Sequence, residues 1–206
     1  MEYMGMEIRT EEGVYKPSDD SFLSAQMIAE CLPFLDEAKS NVIDVGTGSG
    51  ILGLVAANFM KKGHIIFLDV DENALKLAAE NFDLNRKKLN VVARFIKSDL
   101  FSKIPKGMKF GMIIFNAPYL RNEKPDEEME YNPWSGGTTG IEVSVRFLSE
   151  AREHLDDKGI IILNASSLGN LEALAENIES MGFKIINRKA VHIFFEDIVS
   201  LAIASR

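Results

Sequence analysis

The apolar run Val42 to Val45 leads into Asp44-Val45-Gly46-Thr47-Gly48-Ser49-Gly50 and then into a stretch of helical period, Ile51 to Met60. Few local sequences constrain a fold so tightly. Glycines at alternate positions let a strand turn sharply into a helix, and they let backbone N–H groups approach a bound group with no Cβ in the way. A second apolar run, Phe110 to Phe115, ends in Asn116-Ala117-Pro118-Tyr119. The glycine turn offers a seat for a nucleotide-like cofactor, and the later Asn-x-Pro-Tyr stands where a neighbouring strand would deliver a group acting on substrate.

The rest of the chain alternates in the same way. Strand-like runs occupy Val42–Val45, Ile65–Leu68, Val91–Ile96, Met112–Phe115, Ile160–Leu163, Phe183–Arg188 and Ile193–Ala204. Helix-period stretches lie between them at Ile51–Met60, Ala74–Leu84, Ile141–Leu155 and Ala173–Met181, and Ser18 is placed to cap an earlier helix that begins with Asp19 and Asp20. Thr139 and Glu142 are spaced as a capping box, with Gly159 as the expected helix stop. Strands alternating with helices predict right-handed crossovers and a parallel sheet. The last two runs are too close for a crossover and predict an antiparallel hairpin. The expected architecture is therefore α/β and Rossmann-like: a mostly parallel seven-stranded sheet, a C-terminal antiparallel hairpin and helices on both faces. A chain of 206 residues with 46% hydrophobic content and no linker predicts one domain over 1–206.

Composition excludes several classes. No apolar run is long enough to span a bilayer, and the first residues lack a signal peptide's basic and apolar regions, so the expected location is cytoplasmic. The single cysteine, Cys31, excludes an internal disulfide and reads as a small core residue; three scattered histidines give no metal pattern. Thirty-one acidic residues against 23 basic ones leave a net charge of −8, which disfavours non-specific binding to nucleic acid.

The pattern Gly48-x-Gly50-x-x-Gly53 also satisfies a dinucleotide fingerprint, so a nicotinamide enzyme is one reading. Asp44 weighs against it, because a carboxylate at the strand end repels a pyrophosphate and suits an ammonium. Asp69 ends the next strand, 19 positions after Gly50, the spacing at which an acid accepts from ribose hydroxyls; Asp71 is better placed as a helix cap. Asp99 follows the third strand, where it can accept from an adenine amine while Leu100 packs on the ring.

Asn116-Ala117-Pro118-Tyr119 suits transfer to a planar nitrogen. An amide or aromatic amine delocalises its lone pair and is a poor nucleophile. Two acceptors that take both N–H protons, the Asn116 side-chain oxygen and the carbonyl of Ala117, draw that nitrogen toward a tetrahedral shape and aim its lone pair. No metal and no strong base are required. Tyr119 offers a flat face, and Pro118 keeps the preceding residue extended.

These elements together resemble the HemK-type class I methyltransferases, whose motif is Asn-Pro-Pro-Tyr; here Ala117 replaces the first proline but keeps the carbonyl. Tyr15-Lys16-Pro17-Ser18-Asp19-Asp20-Ser21-Phe22-Leu23 is similar to the family's Tyr-x-Pro-x-x-Asp-Thr-x-Leu segment, and Trp134-Ser135-Gly136-Gly137 to its Trp-x-Gly-Gly. The resemblance implies S-adenosylmethionine as cofactor, held by Ser21, Asp44, Gly46, Gly48, Gly50, Asp69, Asp99, Leu100 and Asn116, with residues 1–18 partly lining its pocket. Few residues precede the first motif, as in the short archaeal and eukaryotic form. For that form the resemblance implies a substrate glutamine in the Gly-Gly-Gln loop of a class I translation release factor, and a small zinc-binding activator as partner in a heterodimer. Methylation of a nucleobase amine, methylation of lysine, and a catalytically silent binding subunit are the alternatives. Glu123, Asp126, Glu127, Glu128 and Glu130, in the long stretch Leu120 to Thr138, would repel a phosphate backbone. The family's strand order implies that the run Val91–Ile96 lies at a sheet edge, open to the activator.

Overall fold

A computed structural model describes residues 1–35, 41–121 and 135–206. Two short strands, β1 (Glu2–Tyr3) and β2 (Met6–Glu7), precede α1 (Asp19–Cys31). The alternating part follows as β3 (Asn41–Val45), α2 (Ile51–Phe59), β4 (His64–Asp69), α3 (Glu72–Asn85), β5 (Val92–Lys97) and β6 (Phe110–Phe115). Two small strands, β7 (Leu120–Arg121) and β8 (Ser135–Gly137), lead to α4 (Glu142–Ala151), β9 (Leu155–Ser166), α5 (Leu171–Ser180), β10 (Phe183–Ile193) and β11 (Glu196–Ser205).

Among the described residues the main sheet has seven strands in the order β10-β11-β9-β6-β3-β4-β5. The strands from β9 to β5 are mutually parallel, while β11 runs antiparallel to both of its neighbours. The expected hairpin is therefore present. Both faces of the sheet are covered, which is why β6 is buried along its whole length and reads as an unbroken apolar run. Val42, Ile65, Phe67, Met112, Ile114, Ile160 and Ile162 pack with α1, α2 and α3. The alternate residues Ile43, Val45, Ile66, Leu68, Ile113, Phe115, Ile161 and Leu163 pack with α4 and α5. Cys31 is buried in the first of these layers.

Three boundaries differ from the sequence reading. The fourth helix stops at Ala151, because Leu155 already opens β9. Gly159 is accordingly no helix stop but a strand residue, where a Cβ would sit 2.7 Å from Leu155 Cδ1 and 2.9 Å from the Phe110 carbonyl. The helix starts later than the capping box implies, with Ile141 as the N-cap, yet half of the box forms: Glu142 reaches back to accept from Thr139 N–H at 2.9 Å, and also from the hydroxyls of Thr138 and Thr139. Finally, Ile193 ends β10, and the turn is Phe194-Phe195.

The N-terminal segment is bound to the body by two buried asparagines one helical turn apart on α3. Asn85 exchanges hydrogen bonds with both backbone groups of Glu7, and Asn81 does the same with Arg9. The Asn81 amide also donates to Ser49 O at 2.8 Å, tying this segment to the glycine turn.

Candidate active site

The glycine turn is held from below by Asp44. Its Oδ2 accepts from Thr47 Oγ1 at 2.6 Å and from Gly53 N–H at 2.9 Å, and the side chain is 1% exposed. Burial pushes its carboxyl up to about 7 against the pull of those two donors. Gly53 has to be glycine, since a Cβ would run into the Phe67 ring and lie 3.0 Å from the Asp44 carboxylate. Asp69 serves the same turn from the adjacent strand. Its Oδ2 accepts from Gly48 N–H at 2.9 Å and its Oδ1 from Asp71 N–H at 3.0 Å, and burial raises its carboxyl too. Asp71 caps α3 by accepting from Asn73 N–H, as its position in the sequence suggests.

Gly46, Gly48 and Gly50 all have left-handed φ, but for different surroundings. A Cβ on Gly46 would approach Phe115, and one on Gly50 would meet Ala78. At Gly48 (φ +55) no atom of the described residues lies within 4 Å of the Cβ position, so among them that turn faces open space. Ser49 Oγ, in the same turn, is the one buried side-chain polar atom among the described residues that lacks a hydrogen-bond partner. An open glycine turn bordered by Asp44 and Asp69 suits a ligand carrying an ammonium and hydroxyl groups better than one carrying phosphates.

Asp99 and Leu100 lie beyond this pair. Ser98 N–H donates to Asp69 O, which brings the end of β5 alongside that of β4. Asp99 is exposed and both of its oxygens are taken by Arg146, at 2.6 and 3.0 Å. An incoming amine would share them. Leu100 is 6% exposed and packs in the core with Phe101 and Ile104.

The Asn116 motif stands one strand over from the glycine turn, because Val45 of β3 pairs with Phe115 of β6. In the parallel register Phe115 faces Leu163, so Asn116 falls level with Asn164, and Asn164 is paired with Ser200 of β11. A polar row thus crosses three strands at one height. Asn164 Nδ2 donates to Asn116 Oδ1 at 2.8 Å and to Asp20 O at 3.0 Å, while its own oxygen accepts from Ser24 Oγ at 2.5 Å. Ser24 also lies 3.3 Å from Ser200 Oγ.

Above this row, in the first turn of α1, sits Asp20, 2% exposed. Oδ2 accepts from Asn116 Nδ2 at 2.9 Å, from Tyr15 OH at 2.9 Å and from Tyr119 OH at 3.3 Å. Oδ1 accepts from Ser21 N–H at 2.5 Å and Ser21 Oγ at 3.1 Å. The first helical turn favours a negative group, which adds to these donors. Burial, and after it the Asp20 charge, raises the Tyr119 phenol; burial also pushes Tyr15 up to about 12. Both phenols are thus donors at neutral pH, and neither is a base. Ala117 is 2% exposed, and no donor among the described residues reaches its carbonyl.

Gly136 and Gly137 fasten the motif from the far side. Leu120 pairs with Ser135 and Arg121 with Gly137. A Cβ on Gly136 would come within 2.7 Å of the Pro118 carbonyl, and Gly137 has φ +95. Trp134 and the acids at 123, 126, 127, 128 and 130 lie outside the described residues.

The family model for the methyltransferase small domain matches residues 5–190. The chain belongs to that family. A putative protein N5-glutamine methyltransferase of Methanocaldococcus jannaschii is 30% identical over 204 residues, covering 97% of this chain and 95% of that one. The release factor glutamine methyltransferase of Fusobacterium nucleatum is 31% identical over 169 residues, which are 78% of this chain but 46% of that protein. Among solved structures, the ribosomal protein L11 methylase of Lactobacillus delbrueckii subsp. bulgaricus superposes with a TM-score of 0.68 at 21% identity, covering 97% of this chain and 85% of that one. A chain of the E. cuniculi Mtq2–Trm112 complex, responsible for methylating the eRF1 translation termination factor, gives 0.67 at 19% identity, covering 94% and 99%. The two structural likenesses establish the fold. As a HemK-type class I methyltransferase, the chain takes S-adenosylmethionine as its cofactor. No helix among the described residues is long and apolar enough to cross a membrane.

Of the residues singled out from the sequence, the structure gathers Asp44, Gly46, Gly48, Gly50 and Asp69 around one turn, and Asn116 beside it with Ser21. Sequence reasoning missed Asn164, Ser24 and Ser200, and gave Asp20 no role at the motif. Asn164 and Ser200 had a signal: each is a polar residue set in an otherwise apolar strand run.

Proposed function

We propose that this methyltransferase transfers a methyl group from S-adenosylmethionine to the side-chain amide nitrogen of a glutamine, in the Gly-Gly-Gln loop of a class I translation release factor. The observation that carries the reading is the fixed direction of the Asn116 amide. A carboxylate offers only acceptors, so Asp20 takes the NH2 side of Asn116 and turns the oxygen away. Asn164 occupies one lone pair of that oxygen, and the second is left for a substrate N–H. The Ala117 carbonyl supplies the other acceptor. Bound S-adenosylmethionine supplies an electrophilic methyl group. The residues of the chain hold the amide so that its nitrogen is drawn toward a tetrahedral shape and its lone pair out of conjugation with the carbonyl, and the extra proton departs to water.

Ser21, Asp44, Gly46, Gly48, Gly50, Asp69 and Asp99 would hold the cofactor, in the open space above the glycine turn. Lysine is a poorer fit to this site than glutamine. An ammonium must lose a proton before it can react, and Tyr15 and Tyr119 are both held in the protonated form. The names of the relatives point to glutamine as well. The net charge of −8 favours a protein over a nucleic acid.

The reading includes a small zinc-binding activator subunit that pairs with β5. That strand ends the sheet, with Val92 53% exposed. The fold is shared with a chain of a two-protein complex, which supports a partner of this kind. A methyl-transfer assay with labelled S-adenosylmethionine on release factor, tRNA and DNA, each with and without activator, tests the whole. Label on the release-factor glutamine is expected. Label on nucleic acid with none on release factor would overturn the proposal.

A further inference from the structure

The two most exposed large apolar side chains in the described structure are consecutive: Phe194 is 88% exposed and Phe195 is 94% exposed. They form the two-residue turn between Ile193 and Glu196. Such turns ordinarily take glycine, asparagine or aspartate, because a positive φ is required. Phe194 has φ +53, a conformation that bulky residues rarely adopt. The turn therefore breaks two local rules at once, backbone preference and burial of aromatic surface. Departures of this kind concentrate at functional sites.

The position of the turn shows what it can serve. β11 is antiparallel to β9, so the turn lies at the same end of the sheet as the carboxyl ends of β6 and β9, where Asn116 and Asn164 stand. Its base is joined to the catalytic mouth. Glu196 is hydrogen-bonded by Ser166 Oγ, and Ser167 and Asp197 exchange two hydrogen bonds at 2.8 Å. After burial and two nearer groups, the Glu196 charge also contributes to the raised Tyr119 phenol. Leu168, just past the end of β9, and Leu120, just past Tyr119, are also exposed, each at 44%.

We infer that Phe194 and Phe195 are a docking wedge for the protein substrate, gripping the release-factor surface beside the glutamine loop. The inference rests on the glutamine reading above. The activator is the less suitable occupant, because β5 and the hairpin are at opposite ends of the sheet, roughly 25–30 Å apart at about 4.8 Å per strand. A glutamine must also be brought to Asn116 with the body of its own protein close by. Exposed aromatics around a catalytic mouth supply rigid contact area at little cost in side-chain entropy.

The test is the double variant Phe194→Gly, Phe195→Ser in the full chain with activator present. Glycine accepts the positive φ, so a melting temperature at or above that of the wild type is expected, with unchanged affinity for S-adenosylmethionine. On release factor, kcat/KM should fall about tenfold or more, chiefly through KM. Unchanged kcat/KM overturns the inference and leaves the glutamine reading standing. So does loss of the heterodimer, which would give the wedge to the activator, or loss of cofactor affinity, which would make the turn structural. A wild-type enzyme inert towards release factor but active on another substrate overturns both.

Discussion

The Asp20 carboxylate lies 2.9 Å from Asn116 Nδ2 and thereby decides which way the amide of Asn116 points. An asparagine side chain has nearly the same shape after a half-turn of its amide, so packing alone rarely fixes it. Here the choice is set on both sides. Asp20 can only accept, and Asn164 Nδ2 must donate because the same amide group faces the Asp20 backbone carbonyl, which also can only accept. On the proposed reading, the residues that present an acceptor to substrate include a carboxylate that never needs to touch it.

On that reading Asp20 is a positioning residue. Asp20→Asn keeps the shape but can offer an NH2 group to Asn116, which permits the wrong amide orientation. We expect kcat to fall about ten- to a hundredfold, on the order of 1.4–2.7 kcal/mol, with the affinity for S-adenosylmethionine changed by less than about threefold. Isothermal titration beside single-turnover kinetics checks this. Parallel losses in binding and turnover would mean that Asp20 merely holds the fold.

Asn116→Ala removes the acceptor itself. Turnover should fall about a hundredfold or more while cofactor affinity stays nearly constant, as when one preorganised polar group is deleted from a transition state. Ala117→Pro should be tolerated, because the carbonyl at that position remains.

The mostly parallel sheet, the terminal hairpin and both motif-bearing turns were legible because they depend on local chemistry: glycines where φ is positive, and apolar runs where a parallel strand is covered on both sides. The row Asn116–Asn164–Ser200 was not, because it exists only through register between β6, β9 and β11. The role of Asp20 at the motif was missed for a related reason. An acid in a first helical turn already has a sufficient local explanation in the helix dipole, and nothing nearby in sequence reveals that Asn116 will arrive 96 positions later. The exchange of hydrogen bonds between Asn81, Arg9 and Ser49 is equally non-local. The end of α4 was missed because Leu155 continues the helical period although it belongs to β9.

Asp44 gives a pH dependence with a definite sign. Burial raises its carboxyl from the ordinary range to about 7, so between about pH 4 and pH 7 the native state holds a proton that the unfolded chain has lost. The free enzyme should accordingly be most stable at the acid end of that window and lose stability as pH rises through 7. Cofactor binding should run the other way. An ammonium beside Asp44 favours the ionised carboxyl, so affinity for S-adenosylmethionine should rise about tenfold from pH 6 to pH 8 with release of a proton. Titrations in buffers of different ionisation enthalpy read that proton directly. Asp44→Asn should flatten the profile; a wild-type affinity already flat across the range would place the ammonium elsewhere.

The partner edge can be tested without disturbing the sheet. Val92 N–H donates to Gly63 O and Ser98 N–H to Asp69 O, both at 2.9 Å, so even-numbered residues of β5 turn their backbone groups toward β4. By the period of two, Ala93, Phe95 and Lys97 turn theirs outward, to the free edge. Phe95 meanwhile stacks on Phe67 at 4.8 Å, which anchors the strand through its side chain. Ala93→Pro removes one outward N–H and leaves the β4 ladder intact, the position on an edge strand where proline is tolerated. An activator that adds a strand here should lose its hold on this variant, seen as monomer and activator eluting separately, while the melting temperature of the isolated chain stays close to that of the wild type. Val92→Glu, on the 53% exposed side chain, should weaken the complex by charge and desolvation instead. If both variants still form the heterodimer, the activator docks elsewhere; if the wild-type chain alone is monomeric and fully active on release factor, it needs no activator at all.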